Sequence, residues 1–226
     1  MKKIQNLLLV LVSFSVGLYA EITQCWSFDD PKGTSLKTAA FSGTVSINPV
    51  NFTFQDAATD GSGCLVVENG KELGSANVPL NRGSPVKGGV ISVQVRLSKW
   101  QITSAYKEDA REQLVFLFQD QDNKNIQLQL FRTAGNIALR SWMAGGSGAA
   151  GQITVPLSGT DPVVMVMELD TNKNIWRTGY DTGSGLSFSE WVKSPMKKPH
   201  LFILRKQGDW DDDYVHIDEI TLTHKE

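Results

Sequence analysis

The sequence predicts an all-β protein, a two-sheet antiparallel β-sandwich of the jelly-roll type. Short segments that alternate apolar and polar residues recur along the chain, and a period of two is typical of half-buried strands. Gly, Asn, Asp and Ser separate these segments as turn residues, and no stretch carries the longer apolar period of an amphipathic helix. About ten to twelve such strands fit a sandwich or a barrel, and the chain length favours two stacked sheets.

Residues 1–20 have the features of a secretory signal peptide. The basic start Met1–Lys3 precedes an apolar run from Leu7 to Val16, and the small residue Ala20 stands before Glu21. The run is too short to span a bilayer, and no later run is long enough. We therefore expect cleavage after Ala20, one domain over residues 21–226, and a secreted or periplasmic protein.

The charge balance excludes two classes of partner. The 226 residues include 22 Lys and Arg against 24 Asp and Glu, and loss of the leader removes two of the lysines. A slightly acidic chain has no electrostatic footprint for nucleic acid or for an anionic membrane surface. We therefore expect no nucleic-acid partner. Because no apolar run after the leader is long enough, we also expect no membrane span.

The first strands can be placed in chain order. Glu21–Phe28 is expected to form the first strand. Thr44–Phe54 alternates but contains Pro49, which removes a ladder donor and so indicates an edge strand or a bulge. After the turn at Asp60–Gly63, Cys64–Val67 is expected to form a short strand.

The middle of the chain carries the clearest strands. In Ile91–Leu97 the odd-numbered residues are apolar, so they are expected on one face. Leu114–Phe118 is continuously apolar, which is typical of a central strand covered on both faces. Asn125–Arg132 and Asn136–Trp142 alternate again, with Ile126, Leu128, Leu130, Ile137 and Leu139 expected inside. Further strands are expected at 163–169, 174–180, 201–206 and 214–223, with a hairpin turn at 170–173 and a Gly-rich loop over 143–152.

The two ends of the mature chain resemble those of secreted bacterial jelly-roll modules. Phe28–Thr34 is similar to their opening "F-E-D-x-x-G-T", and Tyr214–Leu222 is similar to their closing strand, "hydrophobic-x-I-D-[DE]-[IV]-x-L". These modules include carbohydrate-binding modules and laminin G-like or concanavalin A-like sandwiches. The resemblance implies that the first and last strands pair in one sheet.

The same resemblance implies a structural calcium ion near that pairing, with Asp218 and Asp29 as ligands. The family has Glu at the position of Asp29, so the side chain here is shorter. Calcium takes six to eight oxygen ligands, and the nearby acidic residues 30 and 211–213 are of the right type. The alternative is that Asp29 caps a turn and residues 211–213 form a solvated loop.

Cys25 and Cys64 are the two cysteines. Export permits a disulfide between them. A bridge would close a loop of roughly 40 residues and stabilise by a few kcal/mol, by restricting the unfolded chain. The alternative is two separate buried thiols.

Three of the predicted strands carry outward side chains suited to sugars, namely Gln94, Arg96, Gln127, Gln129, Arg140 and Trp142. Aromatic rings pack on the C–H faces of sugars, while amides and guanidinium groups bond their hydroxyls. Trp210, in the polar loop 207–211, is a further candidate stacking ring. The alternative is that Gln and Arg only solubilise an exposed sheet face, and that Trp210 plugs a loop end.

We therefore expect a carbohydrate- or glycan-binding protein without catalytic activity, whose partner is a polysaccharide or a cell-surface glycan. A glycoside hydrolase needs two carboxylates flanking the bond, and the sandwich-hydrolase motif E-x-D-x-x-E is absent. A polysaccharide lyase needs a base beside a group that neutralises a uronate, and the lyase motifs Q-I-H and Y-x-K-x-G-x-Y are also absent. Such an enzyme on the same fold is the alternative, and a structural surface or matrix protein is a second alternative.

Overall fold

The computed structural model describes residues 21–26, 51–52, 58–59, 64–68, 75–80, 85–101, 111–133, 136–143, 154–157, 162–206 and 214–226. In chain order the strands are β1 (Glu21–Trp26), β2 (Asn51–Phe52), β3 (Ala58–Thr59), β4 (Leu65–Glu68), β5 (Ser75–Pro79), β6 (Val90–Gln101), β7 (Arg111–Asp120), β8 (Asn125–Thr133), β9 (Asn136–Met143), β10 (Thr154–Leu157), β11 (Val163–Asp170), β12 (Ile175–Asp181), β13 (Ser187–Phe188), β14 (Val192–Lys193), β15 (Pro199–Lys206) and β16 (Tyr214–Lys225). None of the described residues belongs to a helix that is long and apolar enough to cross a membrane.

The strands form two antiparallel sheets. Sheet A has the order β13-β12-β11-β6-β16-β4-β3, with β1 also paired to β16 and β14 also paired to β12. Sheet B has the order β10-β9-β8-β7-β15-β5-β2. The predicted antiparallel β-sandwich is confirmed.

The core lies between the inner faces of the two sheets. Sheet A contributes Ile91, Val93, Val95 and Leu97 from β6, and sheet B contributes Ile126, Leu128 and Leu130 from β8. All seven side chains are buried, because each strand turns its apolar alternate residues inward. The inner faces predicted for these strands are confirmed.

Strand β7 is buried on both faces, as its continuous apolar run predicts. Its even-numbered residues Leu114, Phe116 and Phe118 point into the main core. Val115 and Leu117 point the other way and pack with Ile203 of β15 in a second apolar cluster. The outer face of sheet B therefore has an apolar centre.

The two ends of the described chain are neighbours in sheet A. β1 pairs with β16 along its whole length, from Glu21 opposite Lys225 to Trp26 opposite Ile220. β4 lies on the same side of β16, with Leu65 opposite Ile217. The predicted pairing of first and last strands is confirmed.

The β6–β16 ladder contains two register shifts close together. His216 pairs with Lys99 and Ile217 with Leu97, so Ser98 is an extra residue on β6. The next pair is Glu219 with Arg96, which makes Asp218 an extra residue on β16. Bulges of this kind redirect side chains, and they place Ser98 and Asp218 beside Cys64.

Buried carboxylates hold the tight turns. Asp120, which is 1% exposed, accepts hydrogen bonds at Oδ1 from the backbone N–H groups of Asp122 (2.9 Å) and Lys124 (2.8 Å). Its Oδ2 accepts a third from the Lys197 N–H at 3.1 Å. The carboxylate thus ties the β7–β8 turn to the segment before β15.

Candidate functional site

The outer face of sheet B brings polar, aromatic and cationic side chains into register. Three cross-strand rows run over it. One contains Ile203, Leu117, Gln127 and Trp142; the next contains Arg205, Val115, Gln129 and Arg140; and the third contains Glu112, Phe131 and Ala138. Four of the seven ligand residues predicted from the sequence therefore lie on one patch of two adjacent strands, β8 and β9.

An amide chain runs along β8 on this face. The Gln127 Nε2 donates to Asn125 Oδ1 at 2.8 Å, and the Gln129 Nε2 donates to Gln127 Oε1 at 2.6 Å. The three amides therefore point the same way, and the chain ends at the Gln129 Oε1.

That terminal oxygen has no hydrogen-bond partner, although Gln129 is only 1% exposed. Buried polar atoms in native structures are nearly always bonded, and an unsatisfied one costs roughly 1–3 kcal/mol. The Gln129 Oε1 is therefore a buried acceptor to which no described residue donates.

Arg140 and Trp142 occupy the neighbouring positions on β9. Arg140 is opposite Gln129 and Trp142 is opposite Gln127. The Arg140 guanidinium lies over the Phe131 ring, with its Cζ 4.1 Å from the ring centroid. This is a cation–π contact, which restricts where the guanidinium lies. Both Arg140 and Trp142 are half-buried.

Two residues of this face were missed by the sequence prediction. Arg205 points outward from β15, beside Val115. Phe131 has no functional role in the sequence prediction, and it is the ring that supports Arg140. The apolar residues of β15 fall on both of its faces, so the period-two signal that identifies outward residues is weak there.

Gln94 and Arg96 do not share this face. Both lie on β6, where Gln94 pairs with Val166 and Thr221, and Arg96 pairs with Val164 and Glu219. β6 belongs to sheet A, so these side chains point out of the opposite side of the sandwich. Stacked sheets are about 10 Å apart, and no single ligand face contains both sets. Alternation along a strand tells which residues point outward but not to which sheet the strand belongs.

Trp210 and Asp29 lie outside the described residues. Asp218 is described, and its Oδ1 accepts a hydrogen bond from the Cys64 thiol at 2.7 Å. The same sulfur is 3.4 Å from the Ser98 hydroxyl. The described part of the chain holds no group of three or more His, Cys, Asp or Glu side chains that could bind a metal ion. Calcium binding by Asp218 and Asp29 stays a prediction.

The predicted Cys25–Cys64 disulfide is absent from the part of the chain that the structure describes, and the register gives the reason. Cys25 is opposite Thr221 of β16, while Cys64 contacts Asp218 of the same strand. Three residues of strand separate those positions, about 10 Å at 3.3 Å per residue. A disulfide needs Cα atoms within about 7 Å, so this register does not accommodate the bridge.

Three further tryptophans have distinct environments. Trp176 and Trp100 are buried in the core. Trp191 is 36% exposed and lies on the sheet A side, where the Arg177 Cζ is 4.5 Å from its ring centroid and 4.0 Å from that of Phe188. Arg177 also donates from Nε to Glu168 Oε2 at 2.7 Å.

Comparison with known proteins identifies the fold. No protein family model and no curated protein matches the chain. Among solved structures, the Lotus tetragonolobus seed lectin aligns with a TM-score of 0.60 and 8% identity, over 91% of this chain and 99% of the lectin. Winged bean acidic lectin, in complex with methyl-α-D-galactose, aligns with a TM-score of 0.59 and 7% identity, over 91% of this chain and 99% of that chain.

An enzyme aligns equally well. The endo-1,3-β-glucanase from Streptomyces sioyaensis has a TM-score of 0.58 and 13% identity, over 88% of this chain and 94% of the enzyme. At such identities the likeness establishes the fold, a concanavalin A-like sandwich. That fold is one of those implied by the resemblance at the two chain ends.

Proposed function

We propose that this protein binds carbohydrate on the outer face of sheet B and does not cleave it. The observation that carries the proposal is the patch on β8 and β9, where Trp142, Arg140 and the amide chain ending at Gln129 lie in adjacent register positions. An aromatic ring stacks on the apolar face of a sugar, while amide and guanidinium groups bond its hydroxyls. The lectins of the same fold support the proposal, since one of them was solved with a bound galactoside.

The glucanase neighbour keeps a glycoside hydrolase as the second candidate. Hydrolysis requires a pair of carboxylates on either side of the scissile bond. Among the register positions of the described strands on the outer face of sheet B, Glu112, opposite Phe131, is the one carboxylate, and a single carboxylate does not make the required pair. This composition favours binding over hydrolysis.

A glycan array followed by calorimetry with the best ligand tests the proposal. Trp142→Ala is expected to weaken binding about tenfold or more, because a stacked ring is lost. Trp191→Ala is the matched control, since it removes a partly exposed Trp on the side of sheet A and is expected to leave the affinity unchanged. Gln127→Ala and Gln94→Ala make a second matched pair for the amide contribution.

Two outcomes would contradict the proposal. Equal losses from Trp142→Ala and Trp191→Ala would place the ligand elsewhere or indicate a folding defect, which circular dichroism identifies. New reducing ends, or new absorbance from unsaturated uronate ends, after incubation with the bound polysaccharide would establish an enzyme instead.

A further inference from the structure

Four exposed lysines cluster at one corner of the sandwich, where the β7–β8 turn meets the segments that precede β6 and β15. They are Lys87, Lys124, Lys197 and Lys198, and we call this group the lysine corner. The chain as a whole has a formal net charge of −2. The positive charge is therefore local to the corner, which a total over the whole sequence does not reveal.

One buried carboxylate fixes the backbone of two of these lysines. Asp120 accepts from the Lys124 N–H at Oδ1 (2.8 Å) and from the Lys197 N–H at Oδ2 (3.1 Å). Its Oδ1 also accepts from the Asp122 N–H at 2.9 Å, so both carboxylate oxygens are bonded to the backbone. Because Asp120 is 1% exposed, it holds the corner together without offering the ammonium groups an exposed counter-charge.

The other two lysines are brought together by a contact between two segments. The Val86 N–H donates to the Pro199 carbonyl at 2.9 Å. Lys87 follows Val86 and Lys198 precedes Pro199, so the backbones of the two lysines are neighbours. The fold therefore sets the positions of all four lysines.

The ammonium groups of the corner have no partner within the described chain. No described residue forms an ion pair or a side-chain hydrogen bond with any of them. Asp122 is the exposed carboxylate among the described residues of these segments. The next carboxylates, Asp170 and Glu226, lie on the sheet A side, where Asp170 is paired with Lys173. Four cations beside one exposed anion repel each other, and an anionic ligand relieves that repulsion.

The choice of lysine indicates what kind of anion fits. An ammonium group is a compact charge with three rotatable donors, whereas a guanidinium presents a rigid fork that requires one geometry. All four cations of the corner are lysines. Such a surface suits a polymer with recurring carboxylates or sulfates, because several lysines can engage successive charged groups without a single fixed arrangement.

The remaining exposed residues of these segments favour a glycan as that polymer. They are Gln121, Asp122 and Asn123, so they provide no aromatic ring for a nucleobase and no apolar group for a bilayer. Amides bond hydroxyls. Lys124 is followed by Asn125, where the amide chain on the outer face of sheet B begins. The corner therefore borders the face to which we assign sugar binding.

We infer that the lysine corner binds the anionic groups, carboxylates or sulfates, of an acidic polysaccharide. The inference goes beyond the proposed function, because this surface is separate from the β8–β9 patch and selects for charge. It rests on the proposed function only in naming a glycan as the polymer.

Calorimetry of the full protein in free solution with dextran sulfate, polygalacturonate and neutral dextran tests the inference. Dextran sulfate and dextran share a backbone and differ in charge, while polygalacturonate carries carboxylates in place of sulfates. At least one polyanion is expected to bind about tenfold or more tightly than dextran, and the stronger one identifies the preferred anionic group. Its affinity is expected to fall as NaCl rises from about 0.1 M to about 1 M, because the screening length shortens from about 10 Å to about 3 Å.

Variants assign the effect to the corner. Lys197→Gln/Lys198→Gln is expected to weaken polyanion binding about tenfold, since it removes two exposed ionic contacts. Asp122→Asn is expected to strengthen binding about twofold, a gain that a folding defect does not produce. Arg96→Gln/Lys99→Gln is the matched control, because it removes the same charge from exposed positions about 20 Å or more along β6 from the start of that strand. The control is expected to leave polyanion binding unchanged.

Three outcomes would overturn the inference. Equal losses from the two double variants would show that net charge is the cause. Equal affinity for dextran and both polyanions would show that the corner does not select for charge. Tighter binding to single-stranded DNA, or to phosphatidylcholine vesicles containing phosphatidylserine, than to both polyanions would identify a different class of partner.

The inference and the proposed function can fail separately. Polyanion binding that depends on Lys197 and Lys198 supports the inference even if Trp142→Ala changes the affinity for no neutral glycan, a result that would contradict the proposed function. A neutral glycan lost in Trp142→Ala, with no polyanion preferred over dextran, would overturn the inference alone.

Discussion

At the scale of single residues, Gly89 shows how closely two segments approach. Its φ is +80°, in the region that favours glycine, and its carbonyl accepts from both the N–H and the hydroxyl of Thr171 at 2.9 Å. A Cβ at this position would lie 2.2 Å from the Lys225 carbonyl oxygen and 2.8 Å from His224 Nε2. Glycine is required here by both conformation and space.

Gly89→Ala is therefore expected to lower the free energy of unfolding by about 2–4 kcal/mol, combining backbone strain with a clash against backbone atoms. Gly183 is the matched control, because its φ is +101° but a Cβ added there would meet nothing within 4 Å. Gly183→Ala is expected to cost about 1 kcal/mol, from conformation alone. Urea unfolding measures both, and equal midpoints for the two variants would contradict the steric explanation.

At the scale of the strands, Arg177 connects β12 to the segment that folds over it. Its guanidinium lies between the rings of Phe188 and Trp191 and pairs with Glu168 on the neighbouring strand. Phe188 also packs against Gly179, where a Cβ would lie 2.7 Å from the ring. The segment from β13 to β14 is thus held on sheet A by one cation and two rings.

Arg177→Lys is expected to release Trp191, since an ammonium group cannot stack on both rings while pairing with the carboxylate. The stability cost is expected to be about 1 kcal/mol or less, because the pair is partly exposed. Fluorine NMR of protein labelled with 5-fluorotryptophan, with Trp191→Phe to assign the signal, reports the change. An unshifted Trp191 signal would show that Arg177 does not position the ring, and Arg96→Lys serves as the control.

The strands also show which features of the fold can be predicted from the sequence. Period-two patterns identified the inner residues of β6, β8 and β9 and the doubly buried β7, because burial on one or two faces leaves a local signature. They did not reveal that β6 and β8 lie in different sheets, since strand order depends on long-range pairing. Gln94 and Arg96 were therefore grouped with Gln127 and Gln129, and Arg205 was missed because β15 lacks a clean alternation.

The bulges at Ser98 and Asp218 are also features that local sequence patterns do not reveal. Each inserts one residue into a strand and shifts the inward phase, from Leu97 to Trp100 and from Ile217 to Ile220. The resemblance at the chain end marked Asp218 as a metal ligand. That role stays a prediction. The structure adds a hydrogen bond from the Cys64 thiol to the Asp218 carboxylate, a contact between residues far apart in sequence that no local pattern encodes.

At the scale of the whole molecule, backbone pairing joins the beginning and end of the described chain. Six register pairs connect β1 to β16, and the two cysteines lie at different levels of β16. A reducing agent is therefore expected to leave the melting temperature unchanged, and non-reducing mass spectrometry is expected to find two thiols. A native disulfide adds about 2–5 kcal/mol to a small domain, so a drop of several degrees on reduction would contradict this register.

The position of the last strand has a practical consequence. Lys225 is paired both to β1 and to β6 in the middle of sheet A, so Glu226 leaves from the layer opposite to the one carrying Trp142 and Arg140. A biotin or a fused partner attached beyond Glu226 would therefore orient the molecule on a chip with its Trp142 side toward the flowing solution, and immobilisation would not obstruct the measurement.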